Sequence, residues 1–283
     1  MKKLTLAIIL FSGILLAVWN TFDHPGSVFG GLLANEVNST DFYAKPEVIE
    51  REIDTRPDVD DAPDDEQTTD PKEASGKLIY LTFDDGPSSA TSDILDTLKQ
   101  YDVKATFFML EPNMKKYPEL VKRIVNEGHA VGMHGVTHDK NKFYRNEQTA
   151  LDEMNQGQET LEKLTGIKSV LIRTPYGSVP YLLDSYRTIL DEQGYKLWDW
   201  NVDSSDWSLS SEQLISTTKK QINNLEKADV TPIVLMHDKT ETAKSLATLL
   251  DFLAEKEFQS KELDALIKPY NFNCYDRCKP LKK

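Results

Sequence analysis

Short apolar runs rich in β-branched residues alternate with segments of helical periodicity along most of this chain, and this alternation constrains the fold more than any other feature. The first run, residues 77–83, ends in Asp84-Asp85-Gly86-Pro87, a sequence typical of a turn. Each intervening helix returns the chain to the same end of a sheet, so the strands should be parallel. We therefore predict an α/β fold, a distorted (β/α) barrel of about seven βα units, over residues 76–283. The further predicted strands lie at 105–109, 129–134, 169–172, 195–202 and 233–236, and the predicted helices at 89–101, 113–126, 148–164, 181–192, 210–225 and 241–254.

Residues 1–22 have the pattern of an export signal. Lys2 and Lys3 precede an apolar stretch, and no charged residue occurs from Leu4 to Phe22. The length falls between the apolar core of a signal peptide and the roughly 20 residues of a spanning helix, and no small-residue cleavage site follows directly. We predict a signal anchor, with a cleaved signal peptide as the alternative. Either way we expect the rest of the chain outside the cytoplasm, on the extracellular face of the membrane or secreted.

Residues 23–75 differ in composition from the rest of the chain. Between residues 35 and 75 there are 14 Asp or Glu, four Lys or Arg, four prolines and few large apolar residues. This composition predicts a disordered acidic linker that holds a folded domain away from a membrane. The linker carries most of the formal net charge of −13, and we do not expect so acidic a chain to bind nucleic acid.

The chain has two cysteines, Cys274 and Cys278. Two thiols cannot form a four-cysteine zinc site, but outside the cytoplasm they could pair. The sequence leaves this disulfide open, because so small a loop gains little from closure.

Carboxylate and imidazole side chains follow three of the predicted strands, where a barrel carries its chemistry. Asp84 and Asp85 end the first strand, and their side chains should point in different directions, so one could bind a metal ion while the other stays free as a base. His134 and His138, after the third strand, have a spacing at which two histidines can bind one zinc ion. His237 ends the sixth predicted strand and suits a general acid or base, because the pKa of imidazole is near neutrality.

Two more polar groups follow the fourth and fifth predicted strands. Arg173 in Arg173-Thr174-Pro175-Tyr176 could hold a carboxylate through paired hydrogen bonds, or could form an ordinary surface ion pair. The second group is Asp203-Ser204-Ser205-Asp206-Trp207, in which Trp207 could simply pack in the core.

Five motifs therefore occur in order: Thr82-Phe83-Asp84-Asp85-Gly86, His134-Gly135-Val136-Thr137-His138, Arg173-Thr174-Pro175-Tyr176, Asp203-Ser204-Ser205-Asp206-Trp207 and Leu235-Met236-His237. Each alone is weakly or moderately specific. Together they closely resemble the polysaccharide deacetylase family, also called the NodB-homology domain or carbohydrate esterase family four, and in particular bacterial peptidoglycan N-acetylglucosamine deacetylases. The resemblance covers roughly residues 76–240. Gly135 stands where the family often has Ser or Thr, but both histidines are kept, so this difference does not predict loss of the metal.

The resemblance implies a metal-dependent hydrolase that removes N-acetyl groups from an extracellular polysaccharide. It implies one divalent metal ion, most simply zinc, with cobalt, nickel or manganese as alternatives. The implied ligands are Asp85, His134 and His138. Asp84 would be the general base, and Arg173 would hold it.

The remaining roles that the resemblance implies concern the leaving amine and the acetyl group. His237 would be the general acid, with Asp203 as its partner. Tyr176 would donate its backbone N–H to the oxyanion. Leu235 and Trp207 would shape the pocket for the acetyl methyl group.

Other functions and substrates remain open from the sequence. His138-Asp139 and His237-Asp238 resemble pairs in some metal phosphohydrolases, but that class is expected to be mostly helical, and both pairs follow strands. A non-catalytic carbohydrate-binding module should lack a ligand or the base, and none is missing. A tethered enzyme favours a substrate that stays near the cell, so we expect N-acetylglucosamine of peptidoglycan, with N-acetylmuramic acid, chitin oligosaccharide and acetylxylan as alternatives. We expect a monomer.

Overall fold

The structure is a computed structural model that describes residues 77–281, and it has an α/β fold. The predicted anchor (1–22) and linker (23–75) lie outside these residues, and none of the helices within 77–281 is long and apolar enough to cross a membrane. The strands are β1 (Lys77–Asp84), β2 (Thr106–Met109), β3 (Ala130–Met133), β4 (Leu171–Ile172), β5 (Lys196–Leu197), β6 (Val202–Asp203), β7 (Ile233–His237) and β8 (Phe258–Lys261). The helices are α1 (Thr91–Gln100), α2 (Glu111–Lys116), α3 (Pro118–Asn126), α4 (Lys140–Phe143), α5 (Glu147–Thr165), α6 (Asp184–Glu192), α7 (Ser211–Lys227) and α8 (Thr240–Glu255).

The strands pair in parallel, as their alternation with helices predicts, in the order β5-β4-β3-β2-β1-β7-β6. β8, which the sequence pattern did not predict, pairs with the first half of β1. β5 and β6 lie at opposite ends of this order, yet only residues 198–201 separate them along the chain. So short a connection spans at most about 17 Å, so the sheet must curl until its two ends face each other. The result is a parallel half-barrel in which no ladder joins β5 to β6 among the described residues.

The single strand predicted over residues 195–202 is wrong, because this segment crosses between the two ends of the sheet. The N–H of Trp198 donates to Ile172 O at 2.9 Å, and the N–H of Asn201 donates to Ile233 O at 3.1 Å. The segment therefore starts beside β4 and finishes beside β7. Its apolar character reflects burial, since Trp198 is buried, and not one continuous strand.

Proline and capping residues set the helix boundaries. The helix predicted over 113–126 is divided because Pro118 disfavours a helical conformation at Tyr117, whose ψ is 56°. α5 ends at Gly166 in the left-handed conformation expected of a C-terminal cap. α7 begins with a capping box between Ser210 and Gln213, which confirms the predicted cap.

Residues 262–281, here called the C-terminal segment, contain no helix or strand and return to the sheet. The N–H of Leu263 donates to Thr106 Oγ1 at 2.9 Å, and Tyr270 O accepts from the N–H of Asp199 at 2.8 Å. Cys274 and Cys278, whose pairing the sequence left open, form a disulfide. The C-terminal segment therefore contacts β2, β5 and the crossing segment that follows β5.

Candidate metal centre and active site

The side chains predicted to carry chemistry gather at the carboxyl ends of the parallel strands, around a cavity of about 580 Å³. This is the edge at which a barrel of this kind places its reactive groups. The cavity is lined by Asp84, Asp85, His134, His138, Tyr176, Gly177, Trp200, Asp203, Trp207, Leu235, His237, Asp238 and Lys239.

Asp85, His134 and His138 form a cluster with the spacing of metal ligands. Asp85 Oδ1 lies 3.5 Å from His134 Nε2 and 3.3 Å from His138 Nε2, and one ligand atom from each residue lies within 4.8 Å of the others. Asp85 follows β1 directly in a left-handed conformation, with φ of 71°, and Asn113 Nδ2 donates to its carbonyl oxygen at 2.7 Å. The turn therefore directs the Asp85 carboxylate toward the two histidines.

The protonation and hydrogen bonding of these three residues fit a bound cation. Asp85 Oδ1 is a buried atom that accepts no hydrogen bond from the described residues. His134 Nδ1 lies 2.7 Å from Arg173 O, which can only accept, so Nδ1 is the donor and Nε2 is the ring nitrogen that faces Asp85. Burial and the neighbouring His134 lower the pKa of His138, which favours the neutral ring that can bind a metal. A divalent metal ion would give the buried Asp85 oxygen the partner it lacks.

Glu153 of α5, which sequence reasoning missed, holds the loop between the two histidines. Its Oε2 accepts from the N–H of Val136 at 2.8 Å and from the N–H of Thr137 at 2.9 Å. Gly135 has φ of +92°, and a Cβ there would lie 3.1 Å from the same oxygen. Glycine in place of Ser or Thr thus suits this loop, and the two histidines keep their positions.

Asp84 is buried beside the metal cluster and is held by Arg173. Arg173 Nη1 donates to Asp84 Oδ1 at 2.9 Å, while Asp84 Oδ2 lies 3.8 Å from His134 Nε2. Arg173 is fully buried after β4, and its guanidinium stacks at 4.3 Å on the ring of Phe108. Its other donors bind Thr82 Oγ1, Trp198 O and Asp199 O. Arg173 is therefore a fixed cation that keeps one Asp84 oxygen engaged and leaves the other toward the metal cluster.

The prediction that Asp203 pairs with His237 is wrong, and the partner is Asp206. His237 Nδ1 lies 2.6 Å from Asp206 Oδ1, and the N–H of His237 donates to Asp206 Oδ2 at 2.7 Å. Thr242 also donates to Asp206 Oδ2. Asp203 instead accepts from the N–H of Ser205 at 2.7 Å and so stabilises its own turn. The left-handed residue Ser205, with φ of 54°, turns the chain between the two aspartates and brings the second one under His237.

These contacts set the charge states of the pair. Burial opposes ionisation of both groups. At His237, the hydrogen bond and negative charge of Asp206 outweigh the effect of burial and raise the pKa of the imidazole. Asp84 and Asp85 contribute less to this rise. The hydrogen bond from His237 lowers the pKa of Asp206 in turn. The pair is thus held as a carboxylate beside an imidazole that keeps its proton to higher pH.

Tyr176, Leu235 and Trp207 all reach the cavity but differ in exposure. Leu235 of β7 is buried, Tyr176 is 52% exposed and Trp207 is 65% exposed. The Tyr176 hydroxyl donates to His138 O at 2.9 Å, and the ring lies 4.8 Å from that of His138. Leu235 therefore contributes to the floor of the cavity, and the two aromatic residues contribute to its rim.

The family to which this arrangement belongs follows from sequence comparison. The family model described as "Polysaccharide deacetylase" matches residues 71–198. The chain is 43% identical to YheN of Bacillus subtilis (strain 168) over 195 residues, which cover 68% of this chain and 69% of YheN. It is 39% identical over 186 residues to a peptidoglycan-N-acetylglucosamine deacetylase of Bacillus cereus, covering 65% of this chain and 68% of that protein. This chain belongs to the polysaccharide deacetylase family.

The fold of this deacetylase agrees with solved structures of the family. The polysaccharide deacetylase Bc1974 from Bacillus cereus is 38% identical, has a TM-score of 0.64, and is matched over 69% of this chain and 97% of that chain. The resemblance read from the five motifs is thereby confirmed, and so is the assignment of the chain to the hydrolases that deacetylate polysaccharides.

Asp238 is a further residue of the deacetylase cavity that sequence reasoning did not select. Its carboxylate accepts from Ser88 Oγ at 2.8 Å and from Thr91 Oγ1 at 2.6 Å, and its N–H donates to Asp84 O at 2.9 Å. Burial raises the pKa of Asp238. Asp238 therefore joins the end of β7 to the turn that carries Asp84 and Asp85, and only its place after His237 could have indicated this.

Proposed function

We propose that this deacetylase removes the acetyl group from N-acetylglucosamine of peptidoglycan with the help of one divalent metal ion. One observation carries the chemistry: a cluster of three metal-ligand side chains shares a single cavity with an arginine-held carboxylate and a carboxylate-held imidazole. The choice of sugar rests on similarity to a Bacillus cereus protein named for that activity.

Asp85, His134 and His138 would hold the metal ion. One carboxylate and two imidazoles suit zinc, and three protein ligands leave a position open, although cobalt, nickel or manganese could occupy the same donors. When bound, such an ion supplies a Lewis acid that polarises a carbonyl oxygen and lowers the pKa of a bound water.

Asp84 acts as the general base in this proposal. Its Oδ1 accepts from Arg173, and its Oδ2 is the oxygen nearer the metal cluster. The guanidinium pairs with the carboxylate and fixes its orientation, so Oδ2 can accept the proton of the attacking water. Arg173 therefore acts through Asp84 and does not need to touch the substrate.

His237 acts as the general acid. Its Nδ1 is bound by Asp206, so Nε2 is the atom available to protonate the departing amine. The amine is a poor leaving group until it is protonated, and the raised pKa of His237 favours the imidazolium that supplies this proton. The ionised Asp206 takes the supporting role that the sequence assigned to Asp203.

The acetyl group would lie between the Tyr176 backbone and the apolar floor of the cavity. The N–H of Tyr176 would donate to the carbonyl oxygen as negative charge develops there. The buried Leu235 would contact the acetyl methyl group, and the exposed Trp207 ring would close that pocket from the rim.

We also propose the cellular arrangement that the first 75 residues predict. Residues 1–22 would hold the protein at the membrane, and residues 23–75 would let the catalytic domain reach outward from its extracellular face. The acidic chain is expected to act as a monomer and to have no nucleic-acid partner.

Acetate release from a panel of polymers tests the proposal. The full-length protein, with and without added zinc, is incubated with peptidoglycan, chitin oligosaccharide and acetylxylan, and the Asp84→Asn variant serves as the control. We expect metal-dependent release that is fastest from peptidoglycan and absent in the control. Faster acetate release from acetylxylan would show that acetylxylan, and not peptidoglycan, is the substrate. No release from any polymer would favour a non-catalytic carbohydrate-binding module.

A further inference from the structure

The turn that carries Tyr176 has an unusual backbone that its surroundings must hold in place. The N–H of Gly177 donates to Thr174 O at 3.0 Å, and Tyr176 and Gly177 are both left-handed, with φ of 65° and 75°. This conformation is unfavourable for a residue with a side chain, such as Tyr176. The Tyr144 hydroxyl lies 2.7 Å from Pro175 O and 2.9 Å from Gly177 O and supports the turn from below.

The N–H of Tyr176 differs from its neighbours in this turn. The N–H groups of Gly177 and Ser178 both donate hydrogen bonds, whereas no described residue accepts one from the N–H of Tyr176. The neighbouring N–H groups are therefore hydrogen-bonded within the turn, whereas the N–H of Tyr176, a residue that lines the cavity, remains available to a ligand.

Asp199, which no step of the proposed reaction uses, is the buried carboxylate that fixes the end of this turn. It is fully buried, and its Oδ1 accepts from the N–H of Ser178 at 2.9 Å. Its Oδ2 accepts from Ser178 Oγ at 2.5 Å and from the N–H of Phe272 at 2.7 Å. The carboxylate thus ties the Tyr176 turn directly to the C-terminal segment.

The backbone of Asp199 adds two more connections. Its carbonyl oxygen accepts from Arg173 Nη2 at 3.1 Å, and its N–H donates to Tyr270 O. One residue therefore contacts the Tyr176 turn, the guanidinium that holds Asp84, and the C-terminal segment.

Side-chain packing reinforces the same junction. The rings of Trp200 and Phe272 meet edge to face, with centroids 4.9 Å apart. A Cβ on Gly177 would lie 2.8 Å from Trp200 Cη2 and 3.2 Å from Phe272 Cε2. The C-terminal segment is therefore part of the wall against which the turn is seated.

We propose that Asp199 is a positioning residue for deacetylation, which holds the N–H of Tyr176 where the oxyanion develops and is itself held by Phe272 of the C-terminal segment. This inference rests on the proposed function for its catalytic meaning. The structural connection between the turn and the C-terminal segment does not depend on which sugar is the substrate.

Asp199→Asn in the full-length protein tests the inference, because the N–H groups of Ser178 and Phe272 bind different carboxylate oxygens and an amide keeps only one of these acceptors. Hydrogen–deuterium exchange, read by mass spectrometry on peptides that cover 174–178 and 270–274, measures the connection without any activity. Steady-state kinetics below the melting temperature separate kcat from KM, and bound metal is measured in parallel. Asp191→Asn, an exposed aspartate on α6, is the matched control.

We expect faster exchange in both peptides of Asp199→Asn, unchanged metal content and little change in KM. We expect kcat to fall at least about 10-fold, short of the roughly 10²–10³-fold that loss of an oxyanion donor costs. Asp191→Asn should match the wild type. Ser178→Ala, which removes one hydroxyl contact, should show the same pattern to a smaller degree and replaces Asp199→Asn if that variant does not fold.

Unchanged exchange in the 174–178 peptide, or unchanged kcat despite faster exchange, would overturn the inference. A wild-type protein that releases no acetate from any polymer would refute the proposed function instead, and the exchange data alone would still decide whether Asp199 holds the turn.

Discussion

The imidazole of His237 and the carboxylate of Asp206 face each other across a 2.6 Å hydrogen bond, and the N–H of His237 donates to the other oxygen of the same carboxylate. Two contacts from one residue fix the ring orientation and leave Nε2 free. Asp203, three residues earlier, binds Ser205 of the turn through its carboxylate and the Gln221 side chain of α7 through its backbone. In the proposed reaction, the proton that reaches the leaving amine therefore depends on Asp206.

This relationship predicts a shift in the pH dependence of the rate. An acid that must be protonated limits the rate at high pH, so the raised pKa of His237 sets the alkaline limb of the profile. Asp206→Asn removes the anion, lowers the pKa of His237 and should move that limb to lower pH. Asp203→Asn is the matched control and should leave the alkaline limb in place. A shift in Asp203→Asn but not in Asp206→Asn would show that Asp203 is the carboxylate that supports His237.

Asp84→Asn should lower kcat by about 10²–10⁴-fold while the protein keeps its metal, because the amide cannot accept a proton as the carboxylate does. Metal analysis of the purified variant accompanies the kinetics. Asp85→Asn is the neighbouring control and should lose metal. The opposite pattern would show that the two aspartates have exchanged roles.

His138→Ala should reduce zinc affinity more than the about 10–100-fold that loss of an outer-sphere partner costs. Isothermal titration of the metal-free protein measures the affinity. His129→Gln is the control, because His129 is buried against Phe107, outside the metal cluster, and should leave zinc binding unchanged. Equal zinc affinity in His138→Ala and the wild type would refute the ligand assignment.

Alanine substitutions at Gly177 and Gly166 compare backbone strain at a site where a new Cβ would meet neighbouring side chains with strain at a site where it would not. Both are left-handed, but a Cβ on Gly177 would meet Trp200 and Phe272, whereas a Cβ on Gly166 meets nothing within 4 Å. Gly166→Ala should lower the free energy of unfolding by about 1–2 kcal/mol, from backbone conformation alone. Gly177→Ala should cost about 1–3 kcal/mol more because the side chain is overpacked. Urea denaturation measures both, and equal losses would contradict the crowding at Gly177.

Much of the fold could be predicted because its signals are local. Alternating apolar runs and helical periodicity identified the parallel α/β arrangement, and Gly166 and Ser210 marked helix ends through their own conformational preferences. β8 was missed because Phe258–Lys261 has only four residues with little apolar character, and it is a strand because β1 offers it a free edge. The division of residues 195–202 likewise depends on where β4 and β7 lie in space.

The sequence predicted which residues form the site better than it predicted their hydrogen-bond partners. Motif positions brought Asp84, Asp85, His134 and His138 to one cavity, as the structure places them. The choice between Asp203 and Asp206 depended on the left-handed turn at Ser205, which no pattern in the sequence indicated. Glu153 lies on α5 and Asp199 on the crossing segment, both outside the five motifs, so only the folded chain shows that they hold the motif loops.

The most direct test of the account is the structure of peptidoglycan fragments after treatment with the full-length, zinc-loaded protein. The treated wall is digested, the fragments are reduced with borohydride, and each is sequenced by tandem mass spectrometry, with Asp84→Asn as the inactive control. We expect that each disaccharide loses one acetyl group, that the loss is on the glucosamine, and that the reduced muramic sugar remains acetylated. Fragments that keep every acetyl group, or that lose it from the reduced sugar, would contradict this expectation.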